Sequence, residues 1–111
     1  MYDRANLKRQ PYYALLTDDA EAHLKALTAR EMAMVAEAIE RQLKYEPAVE
    51  TRNRKRMDPD KRLYIAPWEL RVAQLRVYYA VEDRPERVVV IVAIGEKDRD
   101  RIKIGGQYIE P

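Results

Sequence analysis

Apolar and polar side chains alternate along residues 68–79, and this period of two is typical of half-buried β-strands. The alternation changes phase at Ala73-Gln74, which predicts two strands joined by a tight turn. In a hairpin folded at this turn, Arg71 lies directly opposite Arg76. The other face of the hairpin is predicted to be apolar and to carry Leu70, Val72, Leu75, Val77 and Tyr79.

Two arginines that face each other across a strand pair repel, and they weaken the sheet unless their charge is compensated. An anion between them is the simplest compensation, because a guanidinium group binds phosphate or carboxylate through two parallel hydrogen bonds. The polar face of the hairpin therefore predicts an anion site around Arg71 and Arg76, with Glu69 and Tyr78 beside it. The alternative is that Glu69 itself, or the carboxylates of a partner protein, occupy both arginines.

A helical period replaces the strand period in the N-terminal half of the chain. Capping signatures begin at Asp18 and at Thr28, each with a glutamate three residues later, and they predict adjacent helices over 18–27 and 28–45. The two helices form a hairpin with almost no loop. Their apolar stripes are Ala20, Leu24 and Leu27 in the first helix and Met32, Val35, Ala36, Ile39 and Leu43 in the second.

Strand patterns also occur outside the hairpin. Residues 12–16 form a short strand, and the unbroken apolar run within 87–95 predicts a central strand that is buried on both faces and ends at Gly95. The last two segments, 102–104 and 107–109, flank a Gly-Gly pair that suits a two-residue turn.

Residues 50–67 follow neither period and are rich in basic side chains, so they predict a loop that becomes ordered against a partner. The resulting order β-α-α-β-β-β predicts an α+β domain in which a helical hairpin packs on a small, mainly antiparallel sheet. We expect one domain over residues 12–111, preceded by a flexible N-terminal arm over residues 1–11.

Composition narrows the classes of function. The chain has 111 residues, no cysteine and one histidine, which excludes disulfides and thiolate metal sites and predicts neither a metal nor a cofactor. Its longest apolar run has seven residues, whereas a membrane span needs about 20. We therefore expect a cytoplasmic location and no membrane partner.

The small net charge of +2 hides a strong asymmetry along the chain. Residues 18–50 contain eight acidic and four basic side chains, whereas residues 51–76 contain eight basic and three acidic ones. This segregation indicates one surface for a polyanion and another for a basic or neutral partner. The alternative is that the long charged side chains only solvate the surface.

Four segments of the chain read A-P-W-E-L-R, L-R-V-Y-Y, V-V-V-I-V-A-I-G-E-K and Y-E-P-x-x-E-T-R-N-R-K. They resemble the RelE/ParE superfamily of toxins from type II toxin–antitoxin systems, and the last segment is in the form typical of a RelE-like branch. The similarity covers residues 12 to about 104. It implies a small cytoplasmic toxin that is neutralised by a cognate antitoxin protein wrapped around it.

The resemblance leaves three functions open, because fold alone does not determine function. RelE-like members cleave messenger RNA in the ribosomal A site, and ParE-like members inhibit DNA gyrase. The third possibility is an inactive relic that still binds its antitoxin. The first implies a metal-independent endoribonuclease, an mRNA interferase, whose partners include mRNA and the ribosome.

The resemblance also implies a set of site residues. Arg71, Arg76 and Lys97 correspond to the cationic cluster that holds the scissile phosphate, and Glu69 stands where the best-known members have lysine. Glu69 is the candidate general base, and Tyr108 or Lys103 is the candidate acid. The candidate RNA contacts are Arg52, Arg54, Lys55, Arg56, Lys61, Arg62 and, for base stacking, Tyr78.

Overall fold

The computed structural model describes residues 10–61 and 64–109. Within these residues, two helices and seven strands follow one another in an α+β arrangement. They are β1 (Tyr13–Leu16), α1 (Asp18–Lys25), α2 (Ala29–Gln42), β2 (Arg54–Arg56), β3 (Trp68–Val72), β4 (Leu75–Glu82), β5 (Val88–Asp98), β6 (Arg101–Ile104) and β7 (Gln107–Ile109).

All seven strands belong to one sheet, in the order β2-β3-β4-β5-β6-β7, with β1 paired to β5. The β1–β5 pair is parallel and the other pairs are antiparallel. The predicted helical hairpin on a mainly antiparallel sheet is therefore confirmed. We call the sheet face that the helices cover the helix-side face, and the opposite one the open face.

Both helices begin at a threonine. The capping box at Thr28 is confirmed, because its hydroxyl accepts from the Glu31 amide at 3.1 Å while the Glu31 carboxylate accepts from the Thr28 amide at 3.0 Å. The cap of α1 lies one residue earlier than predicted. Thr17, rather than Asp18, accepts from the Ala20 amide at 3.1 Å.

The main core lies between the helices and the sheet, and the apolar face of the predicted hairpin is buried in it. The stripe of α2 is rotated from the prediction, since Ala36 is exposed while Met34 and Ala38 pack against the core. The reason is the position of this helix at the β3 edge, where Met34 and Ala38 border a groove beside Val72. The fully buried part of the core comprises Ala20, Val35, Leu43, Trp68, Leu70, Val72, Leu75, Val77, Tyr79, Val89, Ile91 and Ile94.

The central strand does not end at Gly95, as predicted, but continues to Asp98 because β6 pairs with its last four residues. A side chain at position 95 would place its Cβ 2.9 Å from both Ile104 Cγ1 and the Lys103 carbonyl oxygen. The glycine thus lets β6 lie close to β5 and does not terminate the strand.

A short gap separates β1 from β6 along the same edge of β5. The N-cap residue of α1, Thr17, and His23 within this helix fill the gap with their side chains. The Thr17 hydroxyl donates to the Val92 carbonyl at 3.3 Å, and the Ile94 amide donates to His23 Nδ1 at 3.2 Å. The histidine is therefore a hydrogen-bond acceptor for the central strand.

The segment 50–67 is predicted as a loop that needs a partner, but its described residues, 50–61 and 64–67, are held in place by the chain itself. Its strand β2 pairs with β3, and the Met57 amide donates to the Pro67 carbonyl at 2.8 Å. Met57, Ile65 and Ala66 then pack on the open face against a second apolar cluster that contains Tyr78. The alternation rule missed β2 because this strand has only three residues, Arg-Lys-Arg, with no apolar side chain.

Candidate functional site

The predicted hairpin register is confirmed. Arg71 pairs with Arg76 across β3 and β4, and Glu69 pairs with Tyr78 two residues further from the turn, on the same face. The turn places Ala73 at a φ of 54°. Arg76 stabilises it, because Nη1 donates to the Ala73 and Leu75 carbonyl oxygens at 2.8 Å each.

The anion between the two arginines is the carboxylate of Glu69. Its Oε1 lies 3.3 Å from Arg71 Nε and 4.0 Å from Arg76 Nε. The side chains of Glu69 and Arg76 are 15% and 11% exposed, whereas that of Arg71 is 47% exposed. Arg76 is therefore a fixed cation next to the turn, and Arg71 is the accessible one.

Tyr78 is 1% exposed, so its predicted role in stacking on RNA bases is wrong. Burial raises the pKa of its hydroxyl, and the nearby charge of Glu69 and a hydrogen bond to that carboxylate raise it further. The Tyr78 hydroxyl is therefore a buried hydrogen-bond donor to the Glu69 carboxylate.

Lys97 lies on the same face as the arginines. Arg76 pairs with Gly95, and Lys97 is two residues further along β5 on the same side of the sheet. Its amide donates to the Gln74 carbonyl at 2.7 Å, which ties this end of β5 to the hairpin turn. The structure therefore brings Arg71, Arg76 and Lys97 to one end of the open face.

The two candidate acids do not lie there. Lys103 pairs with Glu96 and with Tyr108, and both alternate with the open-face residues of their strands. Tyr108 instead donates to Asp98 Oδ2 at 2.6 Å, and the Arg101 guanidinium lies 3.6 Å from the centre of its ring. The hydrogen bond to Asp98 raises the pKa of Tyr108. The predicted acid role of both residues at the arginine pair is therefore wrong.

Arg54 is a structural residue and not an exposed RNA contact. Its side chain is buried at the end of α2, where Nη1 donates to the backbone and side-chain oxygens of Gln42 at 2.9 Å. Its Nε donates to the Val49 carbonyl at 2.8 Å. The positive charge also suits the negative end of the helix dipole.

The remaining basic side chains of this segment are distributed over different surfaces. Lys55 pairs with Glu69 and lies on the open face. The Arg56 guanidinium lies 5.6 Å from the centre of the Trp68 ring, on the other face. Arg52 and Lys61 are exposed, and the predicted contact Arg62 lies outside the described residues.

One cation near the site was missed. A groove of about 360 Å³ runs between α2 and β3, and its lining includes Arg41 together with Arg71, above the apolar side chains of Met34, Ala38 and Val72. Arg41 also forms an exposed ion pair with Glu37 at 3.3 Å. No local pattern indicates this pairing, because it depends on how the helix packs on the sheet edge.

Residues 10–61 and 64–109 contain no group of three or more histidine, cysteine or acidic side chains that could hold a metal ion. Within the same ranges, neither helix is long and apolar enough to cross a membrane. Comparison of the chain with protein-family models, curated proteins and solved structures found no match in any of the three.

Proposed function

We propose that this chain is the toxin of a type II toxin–antitoxin pair, of the RelE-like kind, and that its open face cleaves messenger RNA on the ribosome. One observation carries the proposal: Arg71 and Arg76 face each other around the Glu69 carboxylate, with Lys97 on the same face. A cationic cluster of this kind suits an RNA phosphate in a cleavage reaction.

The two arginines have different roles in the proposed reaction. The Arg76 guanidinium is held by two turn carbonyls, so it needs little reorganisation when charge develops on a phosphate. Arg71 is nearly half exposed, and an exposed ion pair contributes little stability. Arg71 is therefore the residue that releases the Glu69 carboxylate and binds the RNA phosphate in its place.

The proposed reaction uses the residues that share the open face. Glu69 takes the proton of the RNA 2′-hydroxyl, and the 2′-oxygen attacks phosphorus to form a 2′,3′-cyclic phosphate. The bond to the 5′-oxygen breaks, and Lys97 supplies the proton that this oxygen gains. Lys97 replaces Tyr108 and Lys103 in this role because they lie on the helix-side face.

A ParE-like inhibitor of DNA gyrase is the second candidate, and an inactive relic is the third. The contacts that Glu69 already makes favour these two candidates over the nuclease. Two guanidinium groups and the Tyr78 hydroxyl contact its carboxylate, which makes it less available as a base. If the chain is a gyrase inhibitor, its open face contacts the gyrase protein and not RNA.

The groove beside Arg71 suits the antitoxin. The groove is lined by Arg41 and Arg71 and by the apolar side chains of Met34 and Ala38, so an acidic segment with one apolar residue that displaces Glu37 from Arg41 fits its chemistry. Binding there also withdraws Arg71 from RNA. Arg54 does not contribute to this surface, because its side chain is buried.

The test is brief expression of the chain without its antitoxin, followed by sequencing of 5′-hydroxyl RNA ends. We expect new ends on translated messages, and a loss of about 100-fold for Arg71→Ala or Lys97→Ala, the scale for removing a transition-state donor. Arg41→Ala is the matched control, because Arg41 is exposed but is not assigned to the reaction. Intact messages with accumulated DNA breaks would favour the gyrase inhibitor, and no effect on either would favour the relic.

A further inference from the structure

The groove between α2 and β3 combines charged and apolar side chains in a small volume. Its volume of about 360 Å³ is near the lower end of the range for ligand sites. Its apolar floor consists of Met34 and Ala38, one turn apart on the same helix face, and Val72 of the sheet. The helix contributes the guanidinium group of Arg41, and the sheet contributes that of Arg71.

Several hydrogen-bond acceptors of the groove are already paired within the chain. Arg54 Nη1 donates to both the backbone and the side-chain oxygen of Gln42, at 2.9 Å each. The Arg71 amide donates to the Asn53 carbonyl at 2.8 Å. A ligand that brings many N–H groups is therefore poorly matched to this groove.

The donors of the groove, in contrast, are only partly used. Arg41 pairs with Glu37 through Nη1, at 3.3 Å. Arg71 pairs with Glu69 through Nε, also at 3.3 Å. Both arginines are exposed, and exposed ion pairs contribute little stability, so an incoming carboxylate displaces Glu37 from Arg41 at a small cost. The groove thus requires a ligand that combines an anionic acceptor with an apolar group.

We infer that the groove binds the C-terminal residue of a partner chain, one with an apolar side chain and a free α-carboxylate. The carboxylate and the side chain of such a residue are attached to the same carbon, so a single residue contacts both the arginines and the apolar floor. An internal acidic segment needs two residues for these contacts and adds backbone N–H groups that require acceptors. Capture of a terminal carboxylate is an established mode of peptide recognition. The inference deepens the proposed function and rests on it for the identity of the partner as the antitoxin.

Titration of the full chain with short peptides tests the inference. The probe is an acetylated peptide without charged side chains that ends in leucine with a free carboxylate, and NMR chemical shifts of the Met34 methyl group and the Val72 amide report its position. We expect a dissociation constant on the order of 1 mM. The same peptide with a C-terminal amide should bind at least about tenfold more weakly, because it lacks the charged acceptor. A peptide that ends in glycine should also bind more weakly, because it leaves the apolar floor uncovered.

Two arginine variants of α2 separate a specific site from general charge attraction. We expect Arg41→Gln to weaken binding of the free-carboxylate peptide about tenfold. Arg30→Gln is the matched control, because Arg30 is an exposed arginine of the same helix outside the groove, and we expect no change. Equal affinity for the carboxylate and the amide overturns the inference. An equal loss in both variants, or unchanged shifts at Met34 and Val72 with every peptide, also overturns it.

The peptide titration and the sequencing of RNA ends give independent results. Peptide binding without new RNA ends supports the terminal-carboxylate site and removes the antitoxin as its assigned partner. New RNA ends without peptide binding overturn this inference and leave the proposed cleavage intact.

Discussion

Arg76 Nε and Glu69 Oε1 lie 4.0 Å apart on neighbouring strands, and both side chains are more than four-fifths buried. This contact, together with the 3.3 Å pair between Glu69 and Arg71, explains how two arginines tolerate direct opposition. The chain supplies its own anion at the place where the sequence predicts one.

Replacing this anion tests the explanation. We expect Glu69→Gln to lower the free energy of unfolding by about 2 kcal/mol, because the neutral amide no longer compensates the charge of the mostly buried Arg76 guanidinium. Sulfate should restore more stability to this variant than to the wild type, since it binds only the folded cation pair. Urea unfolding in sulfate and in chloride of equal ionic strength measures both effects.

Glu37→Gln is the matched control for Glu69→Gln. It removes a carboxylate from the exposed ion pair with Arg41, so we expect a change below about 0.5 kcal/mol and the same sulfate response as the wild type. An equal sulfate response in all three proteins would mean that Glu69 does not compensate the arginine pair.

Arg54 provides a second comparison of a buried and an exposed cation. We expect Arg54→Ala to cost about 3 kcal/mol, because the Gln42 and Val49 carbonyl oxygens lose their donor inside the protein. Arg52→Ala removes an exposed arginine two residues away and should change stability by less than about 0.5 kcal/mol. Similar midpoints in urea for the two variants would contradict the structural role of Arg54.

Because of two buried tyrosines, we expect the free energy of unfolding to fall at alkaline pH. Burial raises the pKa of Tyr78 and of Tyr79 in the folded chain, whereas an unfolded tyrosine has a pKa of about 10. Their protonated forms therefore favour folding below about pH 10, and this contribution is lost progressively as the pH rises toward the folded values. Unfolding measured against pH, with tyrosinate absorbance, should show ionisation of both residues together with unfolding.

Tyr79→Phe separates this effect from general alkaline damage. It removes the 2.7 Å hydrogen bond to the Pro47 carbonyl, so we expect a loss of about 1 kcal/mol at neutral pH. It also removes one of the two ionisations, so stability should fall less steeply above pH 10. An unchanged alkaline slope would contradict the assignment.

His23 offers a local test at the gap in the sheet. His23→Phe keeps an aromatic ring but removes the acceptor of the Ile94 amide, so we expect about 1 kcal/mol of destabilisation and faster hydrogen exchange at that amide. Exchange at amides of β3, far from the gap, should follow only the global change. Equal acceleration at both places would mean that the contact is not local.

The parts of this structure that depend on near neighbours were predictable from sequence. Alternation alone places Arg71 opposite Arg76, and the signatures at Asp18 and Thr28, each with a glutamate three residues later, mark the two helices to within one residue of their caps. The predictions that were wrong concern residues whose contacts are with parts of the chain far away in sequence. Arg54 is buried by the end of a helix, and Tyr78 is covered by Met57, Ile65 and Ala66. The face of Tyr108 follows from the registers of β6 on β5 and of β7 on β6.

Glu69 has a consequence for ligand choice on the open face. It is a tethered competitor, so any anion that binds Arg71 and Arg76 must first displace a carboxylate held at high effective concentration. A single free phosphate makes too few contacts to offset that displacement. Under the proposed function, a polymer that also contacts Lys97 and Lys55 would spread the cost over several phosphates, so we expect the internal carboxylate to disfavour mononucleotides relative to long chains.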